Sequence, residues 1–114
     1  MSDGARWEGL LQALRFQKVC EAGRKYRGGC LSIYLISSPD GISRAGISVG
    51  RHVGNAVKRN RAKRLIREAV RLNRERVRCA VWLVIVAKKG IVGAVLSKVE
   101  ADLIELLEKA GVCR

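Results

Sequence analysis

Apolar positions recur along this chain with two periods, and the switches between them outline its elements. Residues 12 to 22 follow helical spacing and stop at Gly23, a residue type that commonly closes helices. "CLSIYLIS", residues 30 to 37, alternates instead. Leu31, Ile33 and Leu35 point one way, and Cys30, Ser32, Tyr34 and Ile36 the other. "SPDG" at 38 to 41 is turn chemistry, because proline fixes φ and glycine accepts positive φ. A second alternating run, "SRAGISVG", sets Ala45, Ile47 and Val49 against Arg44, Gly46 and Ser48. A hairpin of these two strands is predicted. The stretch "GRKYRGG" before them is polar and glycine-bearing, and it simply leads into the first strand.

A long helix follows, with Asn55 after Gly54 as its N-cap. "AVWLVIVA" at 80 to 87 is apolar throughout, as a central strand must be. Residues 93 to 111 return to helical spacing, with Leu96, Val99, Leu103, Leu106, Leu107 and Ala110 as the core stripe. The order α-β-β-α-β-α predicts an α+β fold, a small two-layer sandwich with a mainly antiparallel sheet and a central basic helix. Residues 1–114 read as a single domain, without repeat or linker.

Charge changes the picture. The net charge is +13, from 23 Lys and Arg against 10 Asp and Glu. Between Arg51 and Arg78 there are 11 basic and 2 acidic residues. So focused a positive field points to a polyanion, nucleic acid ahead of an acidic membrane surface. No apolar run approaches the length of a membrane span. "MSDGARWEGLLQALRF" lacks the layout of a signal peptide, so a cytoplasmic protein is expected. Cys20, Cys30, Cys79 and Cys113 lie far apart, with no CxxC and only His52 as histidine, so buried reduced thiols are expected rather than a metal site.

Successive residues of a helix are turned by about 100°. On that wheel Ala62, Leu65, Ile66, Ala69, Val70 and Leu72 form the face to be buried. Asn60, Lys63, Arg64, Arg67, Arg71 and Arg74 form the opposite crest, while Arg59 and Arg61 fall on the flanks. Flanking arginines can be propped and aimed, which suits their planar, bidentate grip on phosphate. A second site is suggested by Phe16 and Cys20, one helical turn apart, and by Tyr34 on the mixed strand face with Arg44 and Ser48. Such a face could stack single-stranded nucleic acid, although periodicity alone favours core roles for Phe16 and Tyr34.

The run "RAGISVGRHVGNAVKRNRAKRLIREAVRLN", Arg44 to Asn73, closely resembles the signature region of the bacterial ribonuclease P protein subunit. Its heart is Arg59-Asn60-Arg61, followed by Lys63-Arg64 and Arg67; "FQKV" at 16 to 19 and the "SIYL" strand are similar too. The resemblance implies a small α/β sandwich with a left-handed βαβ crossover. It implies two partners: a large catalytic RNA and precursor tRNA, whose 5′ leader the pair removes. Magnesium is expected as the cofactor, held mainly by the RNA, with no catalytic residue or metal ligand in this chain. By resemblance, Arg51, His52, Asn55, Lys58, Arg59, Asn60, Arg61, Lys63, Arg64, Arg67 and Arg71 contact the catalytic RNA. Phe16, Cys20, Tyr34, Arg44 and Ser48 would hold the single-stranded leader. No obligatory protein partner and no membrane partner is expected. The sequence departs from the family pattern in two places. Cys20 stands where a second aromatic is common, and Arg51-His52 replaces a usual pair of lysines.

Independent nuclease chemistry would need clustered carboxylates or an acid–base pair. The acidic residues lie mostly on the terminal helices, and His52 has no evident partner. The main rival is an RNA-binding protein of structural role, which would need the basic helix and no leader cleft. A DNA-binding protein would typically show a helix-turn-helix pair, which is not found.

Overall fold

The computed structural model describes residues 7–9 and 13–112. Its elements are β1 (Trp7–Gly9), α1 (Ala13–Ala22), β2 (Arg24–Arg27), β3 (Leu31–Ser37), β4 (Ser43–Ser48), α2 (Ala56–Asn73), β5 (Val81–Ala87) and α3 (Leu96–Lys109). Short 3-10 turns lie at Arg51–Val53, Arg74–Arg76 and Lys89–Ile91.

The all-apolar β5 organises the sheet. A strand with no polar face must be covered on both sides and paired along both edges. It sits in the middle of a sheet ordered β1-β4-β5-β3-β2. The hairpin predicted for β3 and β4 is therefore not formed. β5 is inserted between them, antiparallel to β3 and parallel to β4. The "SPDG" turn bridges that gap instead of closing a tight hairpin. Ser38 N–H donates to the Ala80 carbonyl (3.0 Å), and Val81 N–H donates to Ser43 Oγ (3.3 Å) at the entry to β5. Among the described residues two strand pairings are parallel and two antiparallel, the antiparallel ladders together being the longer, so the sheet is mixed. β4, α2 and β5 make a βαβ unit of adjacent parallel strands.

The alternation read in β3 and β4 sorts side chains between the two sheet faces. Leu31, Ile33, Leu35, Leu83 and Ile85 face α2 and α3 in the main core, with Ile66, Ala69, Leu103 and Leu107 packed on them. Each large aliphatic side chain so buried contributes about 1.5–3 kcal/mol. The α3 stripe is as predicted, with Leu96 half-buried and the other five members buried. On the other face, α1 covers only part of the sheet, seating Val19 on Trp82 and Val84. This uneven covering gives the second face an open end.

β2 lies inside "GRKYRGG". Its side chains are mostly exposed, which suits an edge strand paired on one side only. Cys30 is buried and Cys20 half-buried, but Cys79 is exposed, so the expectation of buried thiols fails there. Cys113 lies outside the described residues.

Candidate nucleic-acid interface

The basic helix begins at a sharp break. Gly54 adopts φ 142° and ψ −157°, a conformation open to glycine alone, between the Arg51–Val53 turn and α2. Asn55 caps α2 as predicted, its side-chain oxygen accepting from Lys58 N–H at 3.0 Å. That bond occupies the acceptor of a residue also expected to touch RNA. No acidic residue lies in the first turn, so the positive end of the helix dipole adds to Arg51, Lys58 and Arg59.

The buried seam of α2 is Ala62, Ile66, Ala69 and Asn73. Leu72, expected in that stripe, is 47% exposed, and Asn73 replaces it inside. The asparagine is accommodated because its amide donates to the Ala69 carbonyl (2.8 Å) and to Glu100 on α3 (2.9 Å). This rotation of the seam moves the flanks. Arg59 is half-buried, as a flanking residue should be, with Lys63 half-buried one turn on along the same flank, but Arg61 on the other side is exposed. Asn60, Lys63, Arg64 and Arg67 line an open recess along the crest. Arg71 is different, because it is bound twice by Glu68, through Nε at 3.0 Å and through Nη2. That pairing lowers the Glu68 pKa and raises that of Arg71. Among the described residues, Arg64 and Arg67 have no such carboxylate partner.

The open end of the other face holds the second site. Register places Tyr34 beside Val84 and Lys25 in one row, and Arg27, Ser32, Val86 and Ser48 in the next. Lys25, Arg27, Ser32, Tyr34, His52, Val86, Ala87 and Lys88 line one recess. Lys25 Nζ stands 5.1 Å from the Tyr34 ring centroid, a cation–π distance. Lys88 Nζ donates to the Gly28 carbonyl at 2.8 Å. His52 Nε2 lies 3.0 Å from the Ala87 carbonyl, which assigns the ring proton to Nε2. His52, expected on the same surface as α2, is thus turned into this recess. Phe16 and Cys20 join Tyr34, Ile36 and Val86 as half-buried neighbours of Trp82 and Val84, so the ring of Tyr34 is neither lost in the core nor free of it. Burial raises the Cys20 thiol pKa, with the nearby Glu21 adding to the shift.

Arg44 does not reach the open recess. It is buried, with its guanidinium 2.8 Å from Asp40 and 5.9 Å from the Trp82 ring centroid. Hydrogen bonds from Arg44, Ser38 and the Ile42 N–H hold the Asp40 carboxyl well below the usual carboxylate range. Lys25, Arg27 and Lys88 were not anticipated. Strand alternation in "RKYR" was the available signal, because it places Lys25 and Arg27 opposite the half-buried Tyr26.

Among the described residues, no three His, Cys, Asp or Glu side chains converge as metal ligands. Three carboxylates near these surfaces are already engaged: Asp40 by Arg44, Glu68 by Arg71, and Asp102 by backbone N–H groups. This donor set does not suit a resident Mg²⁺, which prefers free carboxylate oxygens in octahedral array. Among the described residues, no helix is long and apolar enough to cross a membrane.

The sequence model of one family, Ribonuclease P, matches residues 5–111. The ribonuclease P protein component of Clostridium novyi (strain NT) is 34% identical over 107 residues, covering 92% of this chain and 95% of that protein. The component from Symbiobacterium thermophilum is 36% identical over 104 residues, covering 90% of each. The RNase P protein of Staphylococcus aureus superposes with a TM-score of 0.82 at 24% identity, covering 93% of this chain and 97% of that one. That of Thermotoga maritima gives 0.77 at 25% identity, covering 87% and 94%. Together with the Arg59-Asn60-Arg61 helix on a mixed α+β sheet, these matches show that the chain belongs to the ribonuclease P protein component family.

Proposed function

We propose that this chain docks onto the catalytic RNA of ribonuclease P with α2 and grips the 5′ leader of precursor tRNA in the recess on the opposite sheet face. The observation that carries this reading is the pairing of two basic surfaces of different shape. One is a helix crest of solvent-facing cations, suited to folded RNA. The other is concave, with a tyrosine ring among Lys25, Arg27 and Lys88, suited to an unpaired strand. A protein of purely structural role would need only the first. The two meet at the Arg51–Val53 turn, which precedes α2 while His52 lines the recess.

In this reading Arg59 and Lys63 are held along one flank of the helix, Arg64 and Arg67 neutralise phosphate from the crest, and Asn60 hydrogen-bonds beside them. Tyr34 and Phe16 offer apolar surface to leader bases, and Lys25 and Arg27 meet the phosphates beside them. Cys20 lies in the aromatic cluster with less area than a ring, so stacking there is weaker. Arg44 braces the wall through Trp82 rather than contacting the strand. The chain supplies binding and charge, while Mg²⁺ held by the RNA supplies the hydrolytic chemistry. Gripping substrate away from the reacting bond still lowers the barrier when that grip aligns the bond for cleavage.

Affinity of the reconstituted enzyme should rise with leader length over the first several nucleotides and then level off. Tyr34→Ala should remove much of that rise, about 1–3 kcal/mol if one base stacks, without changing binding of 5′-mature tRNA. An unchanged length dependence in Tyr34→Ala would remove the recess from the account. The α2 assignment would then stand alone.

A further inference from the structure

The acidic helix α3 packs on the core face beside α2, and one of its carboxylates holds the turn that adjoins the leader recess. Asp102 accepts hydrogen bonds from three consecutive backbone N–H groups, Gly29 (3.3 Å), Cys30 (2.8 Å) and Leu31 (3.1 Å). These belong to the turn joining β2 to β3, which Gly28 N–H closes onto the Leu31 carbonyl at 2.8 Å. The turn is clamped from its other side as well. Lys88 donates from Nζ to the Gly28 carbonyl and from its own N–H to the Cys30 carbonyl (2.9 Å). Contact is close enough that a Cβ on Gly28 would strike the Asp102 carboxylate and one on Gly90 the Gly29 carbonyl. A carboxylate on three N–H groups of a glycine-rich turn fixes conformations that the chain would otherwise sample freely.

We infer that Asp102 is a positioning residue for the leader recess. This inference rests on the leader-binding reading. β2 is an edge strand of four residues, paired among the described residues with β3 alone. The ladder to β3 places Lys25 opposite Tyr34, and the turn that closes this short ladder is held in part by Asp102. Arg27 directly precedes the turn, Lys88 is bonded to it, and Lys25 stands over the Tyr34 ring. Releasing the turn loosens three of the cations that line the recess while leaving α2 untouched.

The test uses the reconstituted holoenzyme with Asp102→Ala and Asp102→Asn, and reads the ratio of affinities for leader-bearing precursor and 5′-mature tRNA. Asp102→Ala should lower that ratio about fivefold, with affinity for the catalytic RNA unchanged. It should also speed hydrogen exchange at the Gly29, Cys30 and Leu31 amides. Asp102→Asn retains an oxygen for the Cys30 and Leu31 N–H groups, so it should restore most of the ratio. Tyr34→Ala is run alongside. If Tyr34→Ala lowers the ratio and Asp102→Ala does not, the positioning role is wrong and the leader reading stands. If neither lowers it, both are wrong. Equal loss in Asp102→Ala of leader discrimination and catalytic-RNA affinity marks general destabilisation and also overturns the inference.

Discussion

The Glu68–Arg71 pair makes a prediction about α2 that charge counting alone would get wrong. Arg71 lies on the crest with Arg64 and Arg67, yet its guanidinium is bound twice by a carboxylate one turn back, so the pair presents little net charge to RNA. Each cation that neutralises a phosphate on binding releases counterions, steepening the slope of log affinity on log salt by roughly 0.7–0.9. Arg67→Ala should therefore flatten the slope by about that amount, whereas Arg71→Ala should change it little. Glu68→Gln should act in the opposite sense. It frees Arg71, keeps helix propensity nearly constant, and should steepen the slope by about 0.8. Between 50 and 200 mM salt that slope change alters affinity about threefold beyond the wild-type loss. Filter binding or calorimetry with catalytic RNA across that range measures it. The reasoning is refuted if Arg71→Ala flattens the slope as much as Arg67→Ala, or if Glu68→Gln leaves it unchanged.

Other expectations follow from the packing. Asp40 has a folded pKa lowered by Arg44, so its stabilising effect is present above the unfolded carboxylate value near 3.9 and fades as pH falls below it. Asp40→Asn should thus melt earlier than wild type at neutral pH and show a shallower loss of melting temperature on acidification below about pH 4. Asn73→Ala should cost about 1–3 kcal/mol in urea unfolding, because it removes the bonds to Ala69 and Glu100 inside the α2–α3 seam. Gly90→Ala should cost about 1–3 kcal/mol, because its Cβ would meet a backbone oxygen of the β2–β3 turn rather than a movable side chain.

How far the chain could be read without its fold depended on whether a feature is local. The cap at Asn55, the stripe of α3 and the two-faced alternation of β3 and β4 all follow from neighbouring residues, and all are present. Pairing is not local. The "SPDG" turn argued for a hairpin, but it carried no sign that a strand some forty residues downstream would enter between its arms. The signal lay in β5 itself, since a strand apolar on both faces needs two neighbours. β2 escaped notice because an edge strand can be polar on most positions, although Gly28-Gly29 before an alternating run is a hairpin cue. The same blindness hid Lys25 and Arg27 from the recess. On α2 the face drawn from apolar residues alone includes Leu72 and omits Asn73, because apolar spacing cannot foresee a buried asparagine satisfied by Glu100. Arg44 was read correctly as facing the mixed side of the sheet, but its pairing with Asp40 and its packing on Trp82 keep it from solvent.

The central claim is that α2 docks this chain onto the catalytic RNA of an RNA enzyme. Its most direct test is cleavage of precursor tRNA by a bacterial ribonuclease P RNA at low Mg²⁺, with the protein, without it, and with Arg59 and Arg61 both changed to Ala. The account predicts 5′ cleavage restored by the wild-type chain and largely lost in the double variant, with the variant's melting temperature unchanged. Equal cleavage with and without the protein, alongside persistent salt-sensitive RNA binding, would contradict it and leave an RNA-binding protein of structural role.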